Sequence, residues 1–241
     1  MTDLIQTNFK RYEKKYMLTQ KQYEGLLGRL QPYIKEDKFG RYTICNIYYD
    51  TEDWALIRQS IQKPVYKEKL RVRSYGVPSD NDNVFIEIKK KYRGVVYKRR
   101  IAVPAVSVEP VLMGSSSFEI KKDDEQIKNE LQWFQNIYHT RPRVFIGYDR
   151  QAFTGLWDSK LRITFDTGIR WRGKELDLRY GDYGESVIPN QQVLMEIKMP
   201  GTCPVWLAHI LNTLAIYPTS FSKYGTCYRN FIINKEGFLS A

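Results

Sequence analysis

The sequence is short of cysteine, histidine, acidic residues and long apolar runs, and each shortage excludes something. Its three cysteines, Cys45, Cys203 and Cys227, share no Cys-x-x-Cys spacing and form an odd set. A zinc site or a disulfide framework is therefore not expected, and a reducing compartment fits. Only His139 and His209 are available, which leaves little material for a Ser-His-Asp or Cys-His nucleophile; His209 lies in an apolar stretch and is expected to be packed. No 18 consecutive apolar residues occur, and Met1 to Arg11 holds no apolar signal core. The expectation is a cytoplasmic protein with neither signal peptide nor membrane span.

Acidic residues number 27 against 38 Lys and Arg, a net charge of +11 over 241 residues. Such an excess suits an anionic partner: nucleic acid, a membrane surface or phosphorylated small molecules. At 42% hydrophobic, the chain has enough apolar material for a core, which argues against disorder. No low-complexity linker or internal repeat interrupts it, so one domain spanning 1–241 is expected.

Apolar periodicity predicts a helix over Thr19 to Ile34, where Thr19 can cap the start and Tyr23, Leu26, Leu27 and Leu30 recur at three- and four-residue spacing before Pro32 ends it. A second helix is expected within Ser117 to His139, an apolar third over Val205 to Ile216, and a fourth over Ser222 to Phe231. Between them the pattern predicts eight strands, near 8–18, 41–50, 64–77, 83–92, 95–103, 143–153, 160–167 and 191–199. Most follow one another directly, so hairpins and an antiparallel sheet are expected. Tyr92-Arg93-Gly94 reads as a tight turn between two of them.

Side chains at i and i+2 of a strand share a face. In Val65 to Arg73, that rule puts Lys67, Lys69, Arg71 and Arg73 on one face and Leu70 and Val72 on the other. Glu87 and Lys89 oppose Ile86 and Ile88, and Lys98 alternates with Arg100. Tyr148 and Arg150, then Arg162, Thr164 and Asp166, then Glu196 and Lys198, repeat the alternation, as do Arg11, Glu13 and Lys15. An ordinary solvated face mixes Thr, Ser, Gln and both charges, whereas this one is mostly Lys and Arg. If helices cover the apolar face, the charged face becomes the inside of a barrel. Unpaired like charges cannot stay buried, so such a lumen needs water, a highly charged anion, or both. Polyphosphate or a nucleoside triphosphate meets the demand through directed bonds from Arg and Lys. Glu87 and Glu196 sit among the cations, either pairing with neighbouring lysines or ligating Mg²⁺ or Mn²⁺ together with phosphate.

The ordered series Arg11-Tyr-Glu-Lys-Lys-Tyr16, Lys69-Leu-Arg-Val-Arg-Ser-Tyr-Gly76, Phe85-Ile-Glu-Ile-Lys89, Tyr148-Asp-Arg150, Arg162-Ile-Thr-Phe-Asp166, Leu194-Met-Glu-Ile-Lys198 and Phe221-Ser-Lys-Tyr224 resembles the catalytic domain of the vacuolar transporter chaperone (VTC) polyphosphate polymerases. These are triphosphate tunnel metalloenzymes of the CYTH-like superfamily. The resemblance runs from about Phe9 to Tyr228. It implies an α+β fold built on an eight-stranded antiparallel β-barrel with flanking helices. It also implies a Mn²⁺ or Mg²⁺ cofactor and transfer of the γ-phosphate of ATP, or of another nucleoside triphosphate, to a growing polyphosphate.

Carried over by position, Arg71, Arg73, Lys89, Lys98, Arg100, Arg150 and Arg162 resemble the tunnel's phosphate ligands, joined by Lys69 and Lys198. Glu196 resembles the metal-binding glutamate. Tyr148, Ser222 and Lys223 resemble the nucleotide and phosphate end, and Glu13 and Lys15 fall in the first tunnel strand. One alternative is a tunnel-fold triphosphate hydrolase, disfavoured because Arg11 replaces the first Glu of the Glu-x-Glu-x-Lys opening of that branch. Another is a non-catalytic binder of polyphosphate or RNA, suggested by the 14% aromatic content. Tyr48, Tyr49, Tyr66 and Tyr75 read instead as sheet packing, and Glu13, Glu87 and Glu196 would repel a nucleic acid. An enclosed lumen would not admit a duplex.

Overall fold

A computed structural model describes residues 12–115 and 122–233. Arg11, the first residues of the expected opening strand and the start of the expected second helix at Ser117 lie outside the described residues. The strands are β1 (Tyr12–Thr19), β2 (Ile34–Asp50), β3 (Tyr66–Tyr75), β4 (Asn83–Tyr92), β5 (Val95–Pro104), β6 (Arg141–Gly155), β7 (Arg162–Arg172), β8 (Glu185–Ser186) and β9 (Gln192–Met199). The helices are α1 (Gln20–Leu30), α2 (Ala55–Ile61), α3 (Val108–Leu112), α4 (Glu125–Tyr138), α5 (Val205–Thr213) and α6 (Lys223–Cys227). The fold is α+β, an antiparallel sheet with flanking helices.

The strand order is β1-β9-β7-β6-β2-β3-β4-β5, with β8 on β7. This corrects the expected closed eight-stranded barrel to an open nine-stranded order with β1 and β5 at its ends. Both ends are protected without closure. The N–H of Thr219 donates to the carbonyl of Lys15 at 2.7 Å, so an irregular segment rather than a strand lies along β1. At the other end β5 carries Lys98, Arg99 and Arg100, and charge discourages pairing with a foreign strand. By contact the chain forms two compact units. One comprises Met1–Tyr42, Asp149–Gly168 and Ile188–Phe221; the other comprises Thr43–Tyr148, Ile169–Val187 and Ser222–Ala241.

In the first unit, Tyr16 and Leu18 of β1, Ile163 and Phe165 of β7, and Met195 and Ile197 of β9 pack against Leu26 and Leu30 of α1 and Leu207 and Ile210 of α5. Thr19 and Gln22 form a reciprocal capping box at the start of α1. The helix stops at Leu30 rather than reaching Ile34, because Pro32 cannot supply the next backbone donor and Ile34 already belongs to β2. In α5 only Leu207, Ile210 and Leu211 are buried. His209 is on the exposed side of that helix, which corrects the expectation that it is packed.

In the second unit, Ile47, Leu70, Val72, Ile86, Ile88, Ile101 and Val103 form one apolar face under α3 and α4, which contribute Val111, Leu112, Leu131 and Phe134. Arg93 and Gly94 join β4 to β5 with φ of 47° and 87°, the left-handed pair that a two-residue hairpin turn requires. The last helix is shorter than expected: α6 ends at Cys227 and passes into a π-helical turn, Tyr228–Ile232. No helix among the described residues is long and apolar enough to cross a membrane.

The alternation has a direct test. Ile88→Ala removes a side chain that is 1% exposed and should cost about 2–5 kcal/mol. Lys91→Gln, at an exposed position of the same strand, should stay within about 0.5 kcal/mol. Urea unfolding of both variants checks the register, and equal costs would refute it.

Candidate functional site

Each unit carries a buried glutamate on its basic strand face, Glu196 in the first and Glu87 in the second; a further buried glutamate of the second unit, Glu68, lies on the opposite face and pairs with Lys90 at 3.3 Å. In the first, the antiparallel register aligns Glu13 with Lys198 and Lys198 with Arg162, and Lys15 with Glu196 and Glu196 with Thr164. Directly opposed residues share a sheet face, so these two rows form one polar surface opposite the apolar core. Glu196 lies 3.4 Å from Lys15, 3.6 Å from Lys198 and 3.8 Å from Arg150. Glu13 reaches the same two lysines at 3.7 Å each, giving an alternating arrangement of two carboxylates and two ammonium groups. Lys15 also donates to the carbonyl of Phe221 at 3.1 Å. Arg150 makes a bidentate pair with buried Asp166 at 2.6 and 2.7 Å. Arg162 pairs with Asp37 at 3.5 Å. Thr164 is buried, and its hydroxyl has no hydrogen-bond partner.

Among the described residues, no group of three or more His, Cys, Asp and Glu side chains is arranged to hold a metal ion. The donors at Glu13 and Glu196 are hard carboxylate oxygens. A Mg²⁺-like cation that keeps waters and shares phosphate oxygens needs only one or two of these. The donor set fits such a cation and does not fit an all-protein cage.

In the second unit the register builds three further rows. Lys69, Lys89 and Lys98 are directly opposed across β3, β4 and β5. The next row is Tyr48, Arg71, Glu87 and Arg100, and the one after it Asn46, Arg73 and Phe85. Glu87 is the centre. Arg71 Nε donates to it at 2.6 Å, Lys98 Nζ lies at 2.7 Å and Arg73 at 3.9 Å. Arg73 also donates to Asn46, whose amide donates to the carbonyl of Ile146, at 3.0 Å in both bonds. Arg100 rests on the Phe85 ring, 4.7 Å from its centroid.

Aromatic groups border this face. Tyr48 stacks on Tyr224 with centroids 4.6 Å apart. The Tyr224 hydroxyl donates to Asp50 at 2.8 Å, and Asp50 accepts from the backbone of Leu56 and Ile57 at the start of α2. Burial pushes the Asp50 carboxyl up despite those bonds. Lys69 lies 5.9 Å from the Tyr224 centroid, and Lys223 lies 4.3 Å from that of Tyr148. The Ser222 hydroxyl accepts from the N–H of Gly225, capping α6. Burial pushes the Tyr48 phenol up, but Arg71 and Lys69 outweigh it and hold the phenol below its ordinary value.

The expected residues thus fall into two sets. Glu13, Lys15, Arg150, Arg162, Glu196 and Lys198 lie in the first unit. Lys69, Arg71, Arg73, Lys89, Lys98, Arg100, Tyr148, Ser222 and Lys223 lie in the second. Tyr48, read from the sequence as sheet packing, belongs to the charged face, whereas Tyr49 is in the core. Asn46, Asp50 and Tyr224 were missed as organising residues. The signal for Asn46, Tyr48 and Asp50 was present, since they occupy alternate positions of one strand.

Glu87 makes this geometry testable. Burial would raise its carboxyl, yet Arg71, Arg73 and Lys98 hold it at about 2, against an ordinary 4.5. A depressed carboxyl stabilises the fold above its unfolded value and loses that contribution as pH falls toward its folded value. Wild type should therefore exceed Glu87→Gln by about 3 kcal/mol at neutral pH. That gap should close progressively between about pH 4.5 and pH 2. Denaturant melts across this range measure it; a constant gap would separate Glu87 from the cations.

The VTC domain family model matches residues 10–232. Vacuolar transporter chaperone complex subunit 4 of Schizosaccharomyces pombe is 23% identical over 224 residues, covering 75% of this chain and 30% of that protein. The Trypanosoma brucei subunit 4 is 23% identical over 216 residues, covering 75% of this chain and 27% of that protein. The chain thus spans under a third of the length of these relatives. The similar solved structures include two named for nucleotide cyclases. A candidate adenylate cyclase from Vibrio parahaemolyticus has a TM-score of 0.46 and 14% identity, covering 92% of this chain and 98% of the other. A candidate adenylyl cyclase from Hippeastrum with a dominant triphosphatase activity has a TM-score of 0.45 and 16% identity, covering 93% and 95%. The assignment rests on the sequence match: the ordered motifs lie within the matched span, and the chain belongs to the VTC domain family.

Proposed function

We propose that this chain is an ATP-dependent polyphosphate polymerase. The observation that carries the reading is the opposed row Lys69, Lys89 and Lys98. Three ammonium groups in one row across neighbouring strands offer charge-assisted donors, and a phosphate chain is the ligand class that presents acceptors to them at successive oxygens. Membership of the VTC domain family supports the same reading. In the second unit, Lys69, Arg71, Arg73, Lys89, Lys98 and Arg100 bind phosphate, with Tyr148, Ser222 and Lys223 at the nucleotide end. In the first unit, Lys15, Arg150, Arg162 and Lys198 bind phosphate, and Glu196, with Glu13 beside it, holds Mn²⁺ or Mg²⁺.

The terminal oxygen of the acceptor chain attacks the γ-phosphorus. The bond from that phosphorus to the β–γ bridging oxygen breaks, and ADP leaves with the electron pair. The residues position the chain and neutralise charge, with no covalent intermediate. A cation held by Glu196 would supply Lewis-acid neutralisation of phosphate charge. The single domain over 1–241 and the cytoplasmic location belong to the same proposal. So does the exclusion of duplex nucleic acid, which rests on Glu13, Glu87 and Glu196 among the cations now that the strand order is open.

Incubation with ATP and Mn²⁺, with products separated by size, tests the reading. Long phosphate chains and ADP are expected. Free phosphate alone would make the protein a hydrolase, and no turnover would make it a binder. Glu196→Gln should abolish turnover and weaken Mn²⁺ binding in the presence of tripolyphosphate while circular dichroism stays unchanged. Wild-type activity across a Mn²⁺ titration would remove Glu196 from the metal site.

Lys89→Gln should weaken tripolyphosphate binding several-fold, the loss of one charge-assisted contact. Calorimetry reads the effect, and unchanged affinity contradicts the row's role.

A further inference from the structure

We propose that the Thr164 hydroxyl is an additional phosphate-binding group, an inference that rests on the phosphate-transfer function proposed above. Thr164 is 1% exposed, and its Oγ1 is buried without a hydrogen-bond partner. A buried hydroxyl that bonds to nothing destabilises the fold, and valine would fill the same space without that cost. The placement is also specific. Thr164 stands opposite Glu196 on β9, and Glu196 stands opposite Lys15 on β1. Two residues to either side on β7, and therefore on the same face, are Arg162 and Asp166.

These neighbours determine what the hydroxyl meets. Both oxygens of Asp166 accept hydrogen bonds from Arg150. Lys15 and Lys198 flank Glu196. An anion drawn to Lys15, Lys198 and Arg162 would approach the face on which Thr164 lies, and its oxygen would meet the shielded hydroxyl once the side chains over it shift aside. A hydroxyl donates one hydrogen bond and accepts others, and a phosphate oxygen is the acceptor that this surface would attract. Lysine and arginine attract any anion through charge. Thr164 instead adds a short, directional donor that fixes the register of a phosphate unit beside Glu196.

Thr164→Val and Thr164→Ser, with tripolyphosphate as the probe, test the assignment by calorimetry and thermal melts. Unliganded Thr164→Val should melt at or above wild type, since it loses an unbonded hydroxyl. Its tripolyphosphate affinity should fall about tenfold or more, as for a lost bond to a charged group. Thr164→Ser should bind within about threefold of wild type, the hydroxyl being kept. Three results overturn the inference: wild-type affinity in Thr164→Val, equal loss in the serine variant, or a lower melting temperature for unliganded Thr164→Val. Lys89→Gln separates the two levels of the argument. If it weakens binding while Thr164→Val does not, the inference fails and the phosphate reading stands. If wild type itself does not bind tripolyphosphate, the phosphate reading fails and the inference with it.

Discussion

Crowding several cations on one side of a sheet, two of them buried, requires a carboxylate among them, and the rest of this structure is arranged around that requirement. An uncompensated buried charge costs several kcal/mol or more. Each unit meets the demand with one glutamate on a Glu-x-Lys strand: Glu87 with Arg71, Arg73 and Lys98, and Glu196 with Lys15, Lys198 and Arg150. The spacing is the same, but the distances differ. Glu87 is 2.6 Å from Arg71 and 2.7 Å from Lys98, whereas Glu196 is 3.4 Å or more from these three cations. Tight pairing suits a carboxylate whose task is to hold guanidinium groups in place. The longer distances to these three cations accord with the metal role proposed for Glu196, which requires it to exchange partners.

The opposite side of each sheet makes this arrangement affordable in stability. Residues alternating with the cations enter the cores, so the strands that present Arg71 and Glu87 are held by Leu70, Val72, Ile86 and Ile88. Helices α1 and α5 cover the apolar face in the first unit, and α3 and α4 cover it in the second. A second device fixes the aromatic border. Asp50 accepts from two N–H groups of α2 and from the Tyr224 hydroxyl, so a buried carboxylate ties α2 and α6 to the strand that carries Tyr48. Tyr48 then accepts from Arg71 at 3.4 Å, extending the chain of contacts to Glu87.

Much of this was legible in the sequence because strand alternation is a local rule. The period of two separated Lys69, Arg71 and Arg73 from Leu70 and Val72, and it identified all eight long strands, with β4 matching residue for residue. Short elements were not legible: α2, α3 and β8 span 7, 5 and 2 residues, too few for periodicity to register. The cap at Thr19 was visible because its partner Gln22 lies only three residues away. His209 was misread because a composition of apolar neighbours does not say which side of the helix is buried.

The sequence by itself determined the α+β class, the strand faces and the identities of the basic residues, since each depends on neighbours within a few positions. It also placed Glu87 and Glu196 among cations without deciding between ion pairing and metal binding. Only the tertiary structure decided the partners. Register between strands set Lys69 opposite Lys89 and Lys98, paired Arg150 with Asp166 and left Thr164 unbonded beside Glu196. It also decided that β1 ends the strand order against Thr219 instead of closing a ring. Those outcomes depend on which distant strands come together, and a period of two is the same whichever neighbour a strand finds.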